Sequence, residues 1–462
     1  MKAVLLAGGK GTRLRPLTYT KPKPLLPLAG EPAIVRLIRK LAHGGIDEIV
    51  VTNNYFATLV RSVLGDGSRY GVRIHHVEEK TPLGTAGSVK NSESLIDETF
   101  AVVQGDNQFE FSPKEIVQLH KKLGASATLA LVQVDNPSEY GIAELSEGRI
   151  TRFLEKPKPG ERFSNLINSG FYVLEPEVLK LVPEGRPFDF SRNLFPLMLE
   201  SKMTLAGFHA RGFWVDIGDP KSYLKANTWA LEKLELKTAP ANNKIACGSD
   251  TWISANATLR GPVYLGDHVR IEKSAVIGPH VSISDTSEVM EDARIASSVV
   301  LENTRIGANA TLEAYVVAED CTVGNRAKIE RNAIVGAGTE LGHDSHLAAE
   351  SKVGPWILVN PHATVDGIIA PFRNHLERVC SLLEKSNAAL GLSREEAGVC
   401  AALSELGQAD AETVSRMTRL PVSRMHEILS ELQKREMVYS FGDALKMFTL
   451  AVQESGSTSK RP

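Results

Sequence analysis

The chain has 462 residues, enough for about three domains at roughly 150 residues each. Its 53 lysines and arginines against 55 aspartates and glutamates leave a net charge of -2, so no bulk field can hold a polyanion and any nucleic-acid contact needs a local patch. The 42% hydrophobic and 23% charged shares exclude a largely disordered chain. Cys247, Cys321, Cys380 and Cys400 are scattered without C-x-x-C spacing, which fits reduced thiols better than a disulfide framework or a zinc site. The start, MKAVLLAGGKGTRLRP, has only a five-residue apolar run, so the expectation is a cytoplasmic protein without a membrane segment.

Up to about residue 230, β-rich runs (AVLLAG, EIVVTN, TFAVVQGD, ATLALVQV, SGFYVL) alternate with helical stretches such as IVRLIRKLAHGG and PKEIVQLHKKLGA. That alternation predicts βαβ units in a mostly parallel, Rossmann-like α/β sheet over residues 1–230, followed by a linker at 231–250. From Ile253 the pattern becomes a six-residue repeat: Ile253, Leu259, Leu265, Ile271, Ile277, Ile283, Val289, Ile295 and Leu301 are all aliphatic. After two five-residue steps around Ile306 and Leu312 it resumes at Val317 and runs to Val365. A period of six fits a short strand plus a turn wound around a solenoid, each hexad turning one aliphatic residue inward. This hexapeptide pattern resembles the left-handed parallel β-helix, expected here over 251–367. A narrow interior stacked with Ile, Val and Leu also accounts for an aromatic share of only 6%.

Beyond the repeat, a linker helix is expected at 368–392. Ser393 can cap a helix through REEAGVCAALSELG, with further helices near DAETVSRMTR and VSRMHEILSELQKR and two short strands around Gly442-Asp443. Helix, helix, helix, hairpin over 393–452 resembles a winged helix-turn-helix domain. The tail 453–462 is polar and expected to be disordered. Between Ser393 and Leu450 seven cations face nine acids, the wrong sign for a phosphate-driven binder, although Arg416, Arg419, Arg424 and His426 cluster around the turn and third helix. An assembly or regulatory role is favoured there over DNA binding.

The first strand runs into GGKGTRLRPLTYTKPKPLLP. Gly8, Gly9 and Gly11 let the backbone approach a polyphosphate and offer N–H donors, while Lys10, Arg13 and Lys23 bring positive charge to the same place. The loop matches neither the dinucleotide fingerprint nor the Walker A pattern. Further blocks follow in order: PLGTAGS (Pro82 to Ser88), QGDN (Gln104 to Asn107), EYGIAEL (Glu139 to Leu145), FLEKP (Phe153 to Pro157), NSGFYVL (Asn168 to Leu174) and FWVDIGDP (Phe213 to Pro220).

Taken together, these blocks resemble the signature of the sugar-phosphate nucleotidyltransferases, in which a sugar 1-phosphate attacks the α-phosphorus of a nucleoside triphosphate and pyrophosphate leaves. The resemblance implies catalytic roles for Arg13 and Lys23 in stabilising growing phosphate charge. It implies nucleotide contacts from Leu6, Ala7, Gly8, Gly9, Gly11, Thr12, Glu79, Pro82, Gly84 and Thr85. A Mg²⁺ ion would be held by Asp106 and Asp216, since one or two carboxylates with waters suffice for this hard cation. The sugar phosphate would meet Lys156, with Asp106, Gly141, Glu155 and Asn168 around the sugar.

The base is read in this family by the residue five before the glycine of the L-G-T block, here Glu79. Guanine presents two adjacent donors that a carboxylate accepts together, whereas the glutamine of many thymidylyl- or uridylyltransferases suits a pyrimidine edge. Glu79 and the run VEEKTPLGTAG therefore favour GTP and resemble the mannose-1-phosphate guanylyltransferase branch. Open alternatives are Glu78 or Glu79 as a solvated acid beside Lys80, a glucose-1-phosphate thymidylyl- or uridylyltransferase, and a DNA-binding regulator responding to sugar nucleotides. His268, His280, His343, His346 and His362 raise the question of acyl transfer by the solenoid. No acetyltransferase motif surrounds them, so a structural or oligomerising role is the better expectation.

Overall fold

The computed structural model describes residues 1–79, 81–234 and 244–369. In the C-terminal part it describes 393, 395–396, 398–400, 403, 409–418, 420–434, 438–441 and 447–450. The chain divides into two compact units, residues 1–14 with 21–230 and residues 15–20 with 231–462.

The first unit carries β1 (Lys2–Leu6), the short strands β2 (Pro27–Leu28) and β3 (Glu31–Pro32), α1 (Ala33–His43), β4 (Glu48–Asn53), α2 (Ala57–Leu64), β5 (Arg73–Glu78), α3 (Gly84–Lys90), β6 (Phe100–Gln104), β7 (Asn107–Phe109) and α4 (Pro113–Leu123). There follow β8 (Ala127–Gln133), β9 (Gly141–Ser146), β10 (Arg149–Glu155), β11 (Leu166–Leu174), α5 (Phe195–Glu200), β12 (Leu205–His209), β13 (Trp214–Asp216) and α6 (Pro220–Glu232). Nine strands form one sheet in the order β5-β4-β1-β6-β11-β8-β12-β10-β9.

Ala3, Val4 and Leu5 of β1 are all fully buried, which is why this strand reads as an unbroken apolar run and not an alternation. α1 turns Ile34, Val35, Leu37, Ile38 and Leu41 into the core at helical spacing, and Lys40 and His43 in its last turn favour the helix dipole. Strands β5, β4, β1 and β6 are parallel, whereas β11 lies antiparallel to both β6 and β8. The sheet is therefore mixed where the sequence pattern predicts a mostly parallel one. Helical crossovers separate the early strands, but β9 and β10 are joined by Glu147 and Gly148 alone, both at positive φ. Such a two-residue link can connect only antiparallel neighbours.

The second unit contains a β-helix of three parallel sheets with eight, seven and seven strands. Hexad residues stack coil on coil, as in Leu265↔Ile283, Ile271↔Val289 and Ile277↔Ile295. Many corners carry a residue near φ +55, among them His268, Asp292 and Asp344, a conformation that Asn, Asp and His tolerate better than most residues. Gly266 lies so close to the next coil that an added Cβ would meet the Asp285 amide at 2.7 Å.

One register differs from the hexad reading. Val300, not Leu301, sits in the inward ladder between Ile283 and Val317, so the shortened steps fall at 295–300 and 312–317. The corners at Ser297 and Ala314 close with one residue fewer, each still with positive φ, and Tyr315 is fully buried just after the second. The solenoid also extends past both expected limits. Ile245–Cys247 already pairs with Val263–Leu265, and Ile368–Ile369 pairs with Lys352–Val353.

Near the C-terminus, Ser393 and Glu396 form a reciprocal capping box, with Glu396 N donating to Ser393 Oγ at 3.2 Å and Ser393 N to Glu396 Oε2 at 2.5 Å. Helices Ala411–Thr418 and Val422–Lys434 follow, with a small antiparallel sheet in which Ala409–Asp410 joins the expected hairpin strands Val438–Phe441 and Met447–Leu450. Val399, Leu403, Val414, Met425, Ile428 and Leu432 share a core of their own. The expected linker helix beyond Ile369, Cys380, Lys80, Arg394, Arg419, the Gly442-Asp443 turn and the tail 453–462 lie outside the described residues.

Ile306 is fully buried in the solenoid ladder between Val289 and Val323. Ile306→Ala is expected to cost about 2–5 kcal/mol of stability, visible as a lowered urea midpoint of the solenoid transition.

Candidate functional site

Parallel register brings the ends of β1, β4, β5 and β6 to one carboxyl edge, with Leu6 opposite both Thr52 and Gln104. Ligands of open α/β sheets bind outside such an edge. Here it forms a cleft of about 290 Å³ lined by Leu6, Ala7, Gly8, Gly9, Lys23, Glu79, Pro82, Gly84, Thr85 and Asp106, all of them residues expected from the sequence. An added Cβ on Gly8 would press on Asn54 Oδ1 at 3.3 Å, while the Gly9 position faces open space, so nothing in the protein blocks close approach of a ligand there. Gly11 has φ +59 and accepts from Leu14 N at 2.9 Å, which turns the loop into the short helix Thr12–Leu14 and brings Arg13 round toward β13.

At the mouth, Lys23 and Asp106 form an ion pair in which both side chains are largely buried. Asp216 ends β13, which pairs with β7 so that Asp216 stands opposite Asn107. Burial raises the Asp216 carboxyl above its usual range, and the neighbouring Asp106 carboxylate adds to this; Lys23, the Tyr140 hydroxyl and Arg13 pull it back. Tyr140 donates to Asp216 Oδ1 at 3.1 Å with its ring edge-on to Trp214. A Cβ on Gly218 would stand 2.8 Å from Asp216 Oδ2 and 3.0 Å from Arg13 Nη2, so glycine leaves room for both charged groups.

Two partly desolvated carboxylates that repel one another form a hard oxygen donor set, and they fit a divalent cation such as Mg²⁺, which would relieve that repulsion. Thr52 Oγ1, buried beside the cleft without a hydrogen-bond partner among the described residues, likewise fits a polar occupant.

Glu79 is 6% exposed, so it is no solvated acid; its Oε2 accepts a long bond of 3.4 Å from Leu83 N. Gly84 has φ +71 and lies against the Phe188 backbone, where a Cβ would come within 2.9 Å of the carbonyl. Thr85 is held through its backbone N and Oγ1 by Asp189 Oδ1, at 3.1 and 3.2 Å.

The remaining expected residues lie on β9, β10 and β11 or, for Lys156, just after β10, outside the cleft lining. Glu155 stands opposite Gly141 in register, and a Cβ on Gly141 would meet Glu155 Oε2 at 2.7 Å. Burial raises the Glu155 carboxyl, against the pull of Lys156 and Arg192. Lys156 has φ +48 and extends outward to Glu139 at 3.3 Å. Asn168 is engaged within the chain: its amide nitrogen donates to Tyr172 OH (2.9 Å) and Ser191 Oγ (3.0 Å), and its oxygen accepts from Gly170 N (3.0 Å). It thereby braces the irregularity in the β11–β8 pairing.

Sequence reasoning missed Tyr140 and Asp189. Tyr140 stood inside the EYGIAEL block, where its spacing from Gly141 was a usable signal; Asp189 belongs to no block and reaches the cleft only through the fold.

Residues 2–233 match the family described as Nucleotidyl transferase, residues 259–369 the GMPPB C-terminal domain, and residues 387–450 the sugar-specific transcriptional regulator TrmB. The chain is 33% identical over 376 residues to the probable mannose-1-phosphate guanylyltransferase 3 of Oryza sativa subsp. japonica, covering 80% of this chain and 98% of that protein. It is 34% identical over 357 residues to mannose-1-phosphate guanylyltransferase 1 of Arabidopsis thaliana, covering 76% and 93%. It is also 34% identical over 334 residues to the UTP–glucose-1-phosphate uridylyltransferase of Synechocystis, covering 68% and 86%.

Tyr140→Phe deletes the hydroxyl that orients Asp216. Mn²⁺ titration followed by electron paramagnetic resonance is expected to show about a tenfold loss of affinity at this carboxylate pair, in line with outer partners of metal ligands.

Proposed function

The chain belongs to the nucleotidyl transferase family, and on that premise we propose that it transfers a guanylyl group from GTP to mannose 1-phosphate, releasing pyrophosphate and forming GDP-mannose. The observation that carries this reading is the convergence of Arg13 and Asp216 on Lys23 and Asp106, which line a cleft whose wall also holds the buried carboxylate of Glu79.

In the reaction a phosphate oxygen of the sugar 1-phosphate forms a bond to the α-phosphorus of the nucleotide. The bond from that phosphorus to the α,β-bridging oxygen breaks, and its electron pair leaves with pyrophosphate. No protein nucleophile is needed. The Gly8–Gly11 loop offers backbone N–H groups along the triphosphate, and Arg13 and Lys23 offset negative charge as it spreads over the transferring and leaving groups. Asp106 and Asp216 would hold Mg²⁺, which would supply positive charge against the negative charge of the phosphates. Lys156 contributes a cation on the sugar-phosphate side, beside Glu155 and its register partner Gly141. Asn168 and Tyr140 hold this assembly in place from behind.

Base choice rests on Glu79, because a carboxylate accepts from two adjacent donors of guanine and offers none to a pyrimidine carbonyl. The likeness to a uridylyltransferase keeps glucose 1-phosphate with UTP as the competing pair.

No helix among the described residues is long and apolar enough to cross a membrane, and Cys247, Cys321 and Cys400 are not disulfide-bonded to one another. A cytoplasmic site for the reaction and self-association through the second unit complete the proposal. For the C-terminal segment, the match to a transcriptional regulator favours DNA contact. Against it, Arg424 is tied to Glu395 and Glu427, and Lys434 to Glu431, which leaves little free positive charge on the described face of the third helix. A regulatory or assembly role is the better reading, and salt-dependent DNA retention by the full chain would reverse it.

A matrix of nucleoside triphosphates against mannose, glucose and N-acetylglucosamine 1-phosphates, read by pyrophosphate release, is expected to peak at GTP with mannose 1-phosphate. Lys23→Ala and Arg13→Ala should each lower kcat by about 10²- to 10³-fold. Glu79→Gln should lower GTP turnover and raise UTP or dTTP turnover; an unchanged preference would remove Glu79 from base selection.

A further inference from the structure

We propose that His343, Asp344 and His362, at one corner of the β-helix, form a binding site for a transition-metal dication of the zinc class. One ligating atom from each residue lies within 4.8 Å of those of the other two. His343 Nδ1 is 3.1 Å and His362 Nδ1 3.8 Å from Asp344 Oδ2. Tetrahedral zinc with bonds of about 2.0–2.1 Å sets its ligand atoms about 3.3 Å apart, so small side-chain adjustments complete three of the four corners.

The backbone preorganises the three residues. Arg326, Asp344 and His362 occupy equivalent corner positions of successive coils, all near φ +58. Coil-to-coil bonds fix them, from Asp344 N to Asn325 O at 2.9 Å and from His362 N to His343 O at 2.9 Å. The backbone positions of the three residues therefore cannot drift apart unless the solenoid opens. Arg326 grips Asp344 in a fork, Nε to Oδ1 at 2.7 Å and Nη2 to Oδ2 at 2.6 Å, and so orients the carboxylate as an outer partner of the ligand set. Its charge opposes a dication and so weakens the site.

The donor set chooses the metal. Two imidazoles with one carboxylate suit zinc, nickel or copper, whereas magnesium and calcium prefer oxygen throughout. Other solenoid histidines are built differently: His346 meets only Glu330 and His268 only Asp250 among the described carboxylates within ion-pair reach. Because His343 and His362 belong to consecutive coils, a bound ion clips two turns of the solenoid together.

The test uses the full-length, tag-free protein, treated with chelator and kept in saturating Mg²⁺ so that the oxygen site in the first unit is filled. Zn²⁺ is titrated by calorimetry, and Co²⁺ is followed by its visible absorption. The expected result is one zinc equivalent per chain, a cobalt spectrum of tetrahedral type and a zinc-dependent rise in the unfolding midpoint. His362→Gln and, separately, His343→Gln should each weaken zinc at least tenfold and abolish that rise. Saturation only in the millimolar range, or equal affinity in the wild type and both variants, would overturn the assignment, the second outcome by placing the ion elsewhere, such as on a cysteine.

Discussion

The register of β1 against β4 and β6 is the constraint on which the first unit depends. β1 is buried on both faces, so its side chains have no solvent side to slip toward, and a shift of one residue would exchange its two packed faces. With that register set, Leu6, Thr52 and Gln104 lie side by side near the strand ends, and the loops that follow have one edge on which to meet. The glycine loop, Glu79 and Asp106 are neighbours for that reason, although up to about a hundred residues of chain separate them.

Charge in the cleft is balanced locally. Asp106 is compensated by Lys23, while Asp216 is desolvated, repelled by Asp106, and partly restored by Lys23, Tyr140 and Arg13. A near-neutral chain thus concentrates opposing charges in one partly dry place, where each is worth more than on an open surface. The same economy holds on the solenoid, where Asp344 is held low by the Arg326 guanidinium and by hydrogen bonding from His343.

The solenoid shows how strictly backbone geometry disciplines sequence. Coils of 18 residues accommodate two of 17 because each corner needs only one residue of positive φ, and Ser297 and Ala314 supply it in the shortened turns. The inward ladder continues through Val300 without interruption, which is why a hexad count carried past Ile295 lands on Leu301, one residue away from the stacked position. Both residues are aliphatic, so composition alone had no means of choosing between them.

Much of this protein is legible in its sequence. The apolar run of β1, the hexads, the Ser393 cap and the ordered blocks from the glycine loop to FWVDIGDP are local patterns, and local patterns record backbone preferences and side-chain chemistry directly. The antiparallel half of the sheet, the internal use of Asn168, the Tyr140–Asp216 bond and the arrival of Asp189 beside Thr85 are of another kind. Each joins side chains from elements distant in sequence, and its geometry exists only after the strands have paired and the loops have packed. The sequence by itself determined which chemical groups are available, cations, carboxylates and flexible glycines. Tertiary structure decided which of them face one another, because desolvation and hydrogen bonding act over a few ångströms of space and take no account of distance along the chain.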